Sequence, residues 1–171
     1  MPAIPTTVQS TPTEFTPAFN YVAQTTDFDD IFAIAAMVSG KTIEEIRALA
    51  IAKIRHPAHG PYFYGEVQIA SLFAQLGYVA TTYKEVSLVR AIPDLALILI
   101  DFNPEMEVGR HLLFHRAKAS HAPNTVIEYA LDPAPWIKPT ERVRTGIKDK
   151  DVATVYVIGL SPMNGKAGSG R

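Results

Sequence analysis

Between residues 29 and 76 the apolar positions fall at helical spacing; beyond residue 78 they fall in short runs of strand length. Ile31, Ile34, Ala35 and Val38 keep the i, i+3, i+4, i+7 spacing of a helix over about Asp29–Ser39. Phe32, Ala33, Ala36 and Met37 fill its other faces, so it is expected to be buried all round. Asp27 and Asp29 are suited to capping its start, and Gly40 to ending it. Thr42-Ile43-Glu44-Glu45 reads as a capping box that opens a second helix, with Ile43, Ile46, Leu49, Ala50 and Ile54 inward and Pro57 as its stop. A third helix is expected over about Tyr64–Leu76, with Val67, Ala70, Leu72, Phe73 and Leu76 inward. After Gly77, strands are expected at Tyr78–Tyr83, Leu95–Asp101, His111–Ala117, Val126–Leu131 and Ala153–Leu160, with a helical turn at Ser87–Ile92. Leu95–Asp101 is a continuous apolar run, which suits a strand buried on both faces. Helices followed by a sheet of four to five strands argue for an α+β fold rather than a βαβ one.

The ends change the picture little. Residues 1–20 are rich in Pro and Thr and read as an extended arm; residues 163–171 carry Gly165, Gly168 and Gly170 and read as a flexible tail. The 171 residues suit one domain, over 21–162. Hydrophobic residues make up 47% and charged residues 19%, with a net charge of −1, which gives no basic stripe for nucleic acid. No apolar run approaches the ~20 residues of a membrane helix, and no secretory signal opens the chain. A cytoplasmic protein is expected. The absence of cysteine removes disulfides, thiolate metal sites and thiol nucleophiles together. His56 and His59, or His111, His115 and His121, lack a carboxylate at a recognised ligand spacing, so neither metal nor cofactor is expected.

Four motifs, in order, carry a resemblance. Gln24-Thr25-Thr26-Asp27-Phe28-Asp29-Asp30 leads into the Ala-rich helix Ile31–Val38. Gly40-Lys41-Thr42-Ile43-Glu44-Glu45-Ile46 opens the second helix. Gly109-Arg110-His111-Leu112-Leu113-Phe114 begins a strand, and Ala130-Leu131-Asp132-Pro133-Ala134 ends the next. Over roughly residues 20–160 the chain resembles the papain-like, bacteriocin-processing peptidases that cleave after double-glycine leaders. In that family a Gln is followed by Asp-Cys-Gly-Pro-Ala-Ala-Leu-Ala-Met. The resemblance puts Gln24 at the oxyanion donor, Asp30 at the nucleophilic cysteine, His111 at the base and Asp132 at the acid that orients it. It implies a central helix with the nucleophile position at its N-terminus, packed on an antiparallel sheet.

Thiol proteolysis needs a thiolate, an imidazole held by a third group, and donors for the oxyanion. Here the group that would form the covalent bond is replaced. A carboxylate attacking an amide would have to form an anhydride, a less stable intermediate than a thioester. Ile31 and Phe32, standing where the family has Gly and Pro, add bulk beside the cleft. An anion at a helix N-terminus is nevertheless favourable, by ~0.3–1 kcal/mol when exposed and up to ~2 when partly buried. Facing His111, Asp30 would copy the charge pattern of a thiolate–imidazolium pair without its reactivity. Each residue also has an ordinary reading: a first-turn acid, a structural strand histidine, a turn aspartate, a loop glutamine. The aromatic run Tyr62-Phe63-Tyr64 and Trp136 read as packing or as the lining of a groove.

The expected function is therefore a catalytically inactive peptidase-like domain that binds a peptide or protein segment in the remnant cleft. With no transporter segment, it is expected to act as a free-standing module. A hydrolase using Asp30, His111 and Asp132, or a structural or assembly protein, are the alternatives; the oligomeric state is left open.

Overall fold

A computed structural model describes residues 16–59, 63–119, 122–152 and 155–163. Three helices come first: α1 (Asp30–Ser39), α2 (Ile43–Ile54) and α3 (Glu66–Gln75). Seven strands follow: β1 (Tyr78–Ala80), β2 (Lys84–Val86), β3 (Leu95–Asn103), β4 (Val108–Ala119), β5 (Ala122–Leu131), β6 (Val143–Thr145) and β7 (Val155–Pro162). They form one antiparallel sheet in the order β1-β7-β3-β4-β5-β6, with β2 also paired to β7. The protein is α+β, with helices segregated from a sheet, and no helix among the described residues is long and apolar enough to cross a membrane.

The sheet has more strands than the four to five expected. The reading of Tyr78–Tyr83 as one strand stops at Ala80, and β2 and β6 are additional. Each is three residues long, too short to show alternation, and is defined by backbone pairing to a longer neighbour. On α3 Leu72 and Phe73 are fully buried, as expected, but Val67 is 76% exposed and Ile69 is buried instead. Residues 1–15 of the expected arm and 164–171 of the expected tail lie outside the described residues, as do Gly60–Tyr62, His121, Ala153 and Thr154.

The core explains why α1 is apolar all round. Every residue from Ile31 to Val38 is buried, enclosed by α2, α3 and one face of the sheet through Leu97, Leu113, Leu131 and Ile158. The alternate residues Ala96, Ile98, Leu112, Phe114 and Val157 face the other way, onto a second core with Val86, Val89, Ile92 and Val152. Two 3₁₀ turns, Val89–Ala91 and Asp149–Asp151, cover that face, joined by the Val89 N–H donating to Asp149 Oδ1 at 2.8 Å. Covering on both sides makes the middle of β3 a continuous apolar run. The Thr42–Glu45 capping box is present, and Gly40, at φ 71°, ends α1 in the left-handed conformation.

Residues 18–24 run beside the end of β5. Ala18 N–H donates to the Tyr129 hydroxyl at 2.9 Å, Tyr21 O–H to the Asp132 carbonyl at 2.9 Å, and Gln24 N–H to the Pro133 carbonyl at 2.8 Å. The Tyr129 hydroxyl also bonds His115 Nδ1 at 2.9 Å, and Phe19 packs on the His115 ring. With its oxygen accepting from Ala18, Tyr129 donates to an unprotonated Nδ1. Burial holds His115 below its ordinary 6.5, against the opposing pull of Asp94; burial and the charge of Arg47 do the same to His56. Both rings are more readily protonated once unfolded. Their contribution is therefore complete above 6.5 and is lost as pH falls toward the depressed folded values. The denaturation midpoint should fall on acidification through this window, and His115→Gln should flatten that dependence. A midpoint whose pH profile is unchanged in His115→Gln would remove His115 as a cause.

Candidate functional site

Asp30 is the first residue of α1, and it meets β4 near the start of that strand, at His111. Its Oδ1 accepts from its neighbour Ile31 N–H at 2.9 Å, and its Oδ2 accepts both from His111 N–H and from His111 Nδ1–H at 2.8 Å. Both residues are buried, Asp30 to 8% exposure and His111 to 4%. An ionised carboxylate only accepts, so the ring carries its hydrogen on Nδ1. In the neutral ring Nε2 then accepts from the Tyr83 hydroxyl, 2.6 Å away, with the two rings stacked at a 16° interplanar angle. Burial first, and then the charges of Asp30 and Glu66, push the Tyr83 phenol up, so it retains its hydrogen. Glu66, at the start of α3, holds Tyr83 in place by accepting its backbone N–H at 2.6 Å.

The structure thus brings together Asp30 and His111, and adds Tyr83 and Glu66, which the sequence reading did not single out. It separates the other two expected members. Asp132 is fully buried, but its Oδ1 accepts from Arg110 at 2.6 Å and from Ala134 N–H at 3.1 Å, while its Oδ2 pairs with Arg144. The expectation that Asp132 orients His111 is corrected by this geometry: both ring nitrogens are taken by Asp30 and Tyr83, and both oxygens of Asp132 by other donors. Gln24 is buried at 5% exposure, yet its Nε2 donates to the Thr26 carbonyl within its own loop at 3.0 Å, and its Oε1 has no partner. Its amide is turned into the loop instead of toward Asp30 as an oxyanion donor. Asp29 stands at the N-cap position without capping α1. Its carboxylate instead gathers Thr25 N–H, Thr26 N–H and the Thr25 hydroxyl, shaping the loop that delivers Asp30.

Two hollows meet at this point, with Tyr64 in the wall of both. The smaller, about 110 Å³, lies against His111 and Tyr83 and is bounded by Phe63, Leu99, Phe102, Glu107 and Gly109. Gly109 is required here, because a Cβ would meet the Ile100 carbonyl oxygen at 2.8 Å and Leu99 Cδ1 at 2.7 Å. The larger, about 440 Å³, lies between the start of α1, α2 and the segment around Pro57, with Phe28, Ile31, Phe32, Arg47 and His56 in its wall. Phe28, Phe63 and Phe102 remain 41%, 46% and 49% exposed, and Phe28 meets Phe63 edge-on at 4.9 Å. Non-glycine residues in the left-handed region flank both hollows: Asp101 and Glu107 on the β3–β4 hairpin, and Arg55 before His56. Such conformations cost of order 1–3 kcal/mol each and tend to gather at binding and catalytic sites.

Both oxygens of the Asp30 carboxylate have partners, three donors in all, and both ring nitrogens of His111 have partners too, Asp30 at Nδ1 and the Tyr83 hydroxyl at Nε2. Trp136, 58% exposed, faces the Arg110 guanidinium at 5.8 Å and stands apart from this centre. Among the described residues no group of three His, Asp or Glu side chains is arranged to hold a metal ion. No protein-family model matches the chain, and no curated protein matches it either.

Proposed function

We propose that this chain is a catalytically silent, papain-like relative of the bacteriocin-processing peptidases, and that it binds a peptide or protein segment across the mouth of the Asp30–His111 centre. The observation that carries the reading is that both oxygens of Asp30 and both ring nitrogens of His111 already have partners within the protein. A buried Asp30–His111 pair at a helix N-terminus keeps the arrangement of a nucleophile–base pair with every reactive atom occupied. The exposed phenylalanines and the strained hairpin beside it supply a binding rim without a reacting group.

A second reading has one observation in its favour. Asp30, His111 and Tyr83 follow the order acid, Nδ1–H, Nε2, hydroxyl, which is the order of a hydrolytic triad with a phenol in the place of the nucleophile. The raised phenol makes Tyr83 a poor nucleophile.

A degenerate peptide library incubated with the protein separates these readings. The expected result is retention of a peptide subset without cleavage, weakened about tenfold or more by a Phe63→Ser, Phe102→Ser double variant. Cleavage products that vanish in His111→Ala or Tyr83→Phe would establish the hydrolase instead. Retention of no peptide would leave the structural role.

A further inference from the structure

The larger hollow differs in chemistry from the centre beside it. His111 lines the smaller hollow, while the larger one is walled by Phe28, Ile31, Phe32 and Tyr64, with Arg47 and His56 as its basic groups and, among the described residues, Asp29 as its one acid. Burial and the neighbouring Arg47 charge hold His56 below its ordinary value, so near neutrality Arg47 is the cation of this wall. Its guanidinium is loosely held. It stands 3.5 Å from Asp29, whose carboxylate already accepts from Thr25 and Thr26, and 6.0 Å from the centre of the Phe32 ring. The Arg47 side chain remains 39% exposed. An aromatic wall with an under-used guanidinium at its edge is complementary to one kind of group: an anion joined by a short link to a bulky apolar body.

From this we infer that the larger hollow receives the C-terminal residue of the bound peptide, with its free carboxylate on Arg47 and an aromatic or large aliphatic side chain against Phe32 and Tyr64. A C-terminal residue carries its carboxylate and its side chain on the same α-carbon, which suits the 6.0 Å between guanidinium and ring. An internal Asp or Glu puts the carboxylate at the end of its own side chain, away from any bulky apolar group. Because Tyr64 borders both hollows, the chain preceding that residue would pass along the rim of the Asp30–His111 centre. The inference rests on the peptide-binding reading and adds a polarity and an end to it.

The test uses hexapeptide libraries with five randomised positions and a last residue fixed as Phe, Leu or Gly, each made as free acid and as amide, with binding read by fluorescence anisotropy. The free acids ending in Phe and Leu should bind about ten- to a hundredfold more tightly than their amides, the range for a charge-assisted contact. Arg47→Gln should abolish that ratio and Arg47→Lys should keep part of it; the side chain is partly exposed, and urea denaturation of each variant checks that the fold is kept. Equal binding of acids and amides, or a ratio unchanged in Arg47→Gln, would overturn the C-terminal inference while leaving peptide binding intact. Tight binding of amidated peptides with an internal Asp or Glu would overturn it in the same way. No binding by any library would overturn both.

Discussion

Asp132→Ala should destabilise the protein by about 3 kcal/mol while leaving the His111 ring where it is. A buried carboxylate that holds two guanidinium groups cannot be removed without stranding their charge, and breaking a buried ion pair from one side costs about 3–5 kcal/mol. The low end applies because Arg144 keeps 41% of its side-chain surface in water, whereas Arg110 keeps 16%. Ala134 N–H loses its acceptor as well. Arg110 also bonds Asp101, at 2.6 Å on the strained β3–β4 hairpin, so the loss should loosen that hairpin before the rest of the sheet. Urea denaturation measures the first effect, and hydrogen exchange at residues 101–108 the second. The imidazole signals of His111 discriminate between two roles for Asp132. If it orients the ring, they should shift and broaden in the variant; if it clamps Arg110 and Arg144, they should stay. Large movement of those signals with little loss of stability would restore the orienting role and overturn the structural one.

The elements that were legible in the sequence are those with long apolar periods. Ile31–Val38 announced a helix without a polar face, and Leu95–Ile100 a strand covered on both sides, because each burial pattern spans enough residues to be unambiguous. The capping box was legible because its two bonds join residues three apart in one turn. The short strands β2 and β6 were not, since their formation depends on a partner distant in sequence. The site divides along the same line. The approach of Asp30 to His111 was implied by the resemblance alone, since no local pattern sets a helix start against a particular strand residue. Tyr83, 28 residues before His111, sits in a connection with no periodicity, and its hydroxyl reaches the ring only once Glu66 has fixed its backbone. Asp132 shows what local motifs omit. Arg110, next to His111, and Arg144, on an edge strand, supply the charges that draw this carboxylate away, and neither belongs to the Asp-Pro turn.

Asp30→Ala should cost about 3 kcal/mol, and half or more of that should disappear when His111 is already gone. The substitution strands Ile31 N–H, His111 N–H and His111 Nδ1–H in a buried place, at roughly 1–3 kcal/mol for each unsatisfied donor. It also removes the anion from the helix N-terminus, worth up to about 2 kcal/mol when partly buried. Water entering through the small hollow beside His111 offsets part of this, which keeps the total well below the sum. His111→Ala removes the ring donor but leaves the backbone N–H. A double-mutant cycle on Asp30→Ala and His111→Ala therefore isolates the side-chain pair, and its coupling should be about 1.5–3 kcal/mol, the range for a bond to a charged group. Such a coupling should be nearly insensitive to added salt, because a buried pair is poorly screened. Tyr83→Phe provides the control: it removes the hydroxyl from Nε2 while leaving both bonds to Asp30, so the Asp30–His111 coupling should survive it. A coupling near zero would mean that the helix end and the two backbone donors hold Asp30 by themselves. His111 would then be a strand histidine that happens to lie nearby, and the reading of this centre as the remnant of a nucleophile–base pair would lose its physical basis.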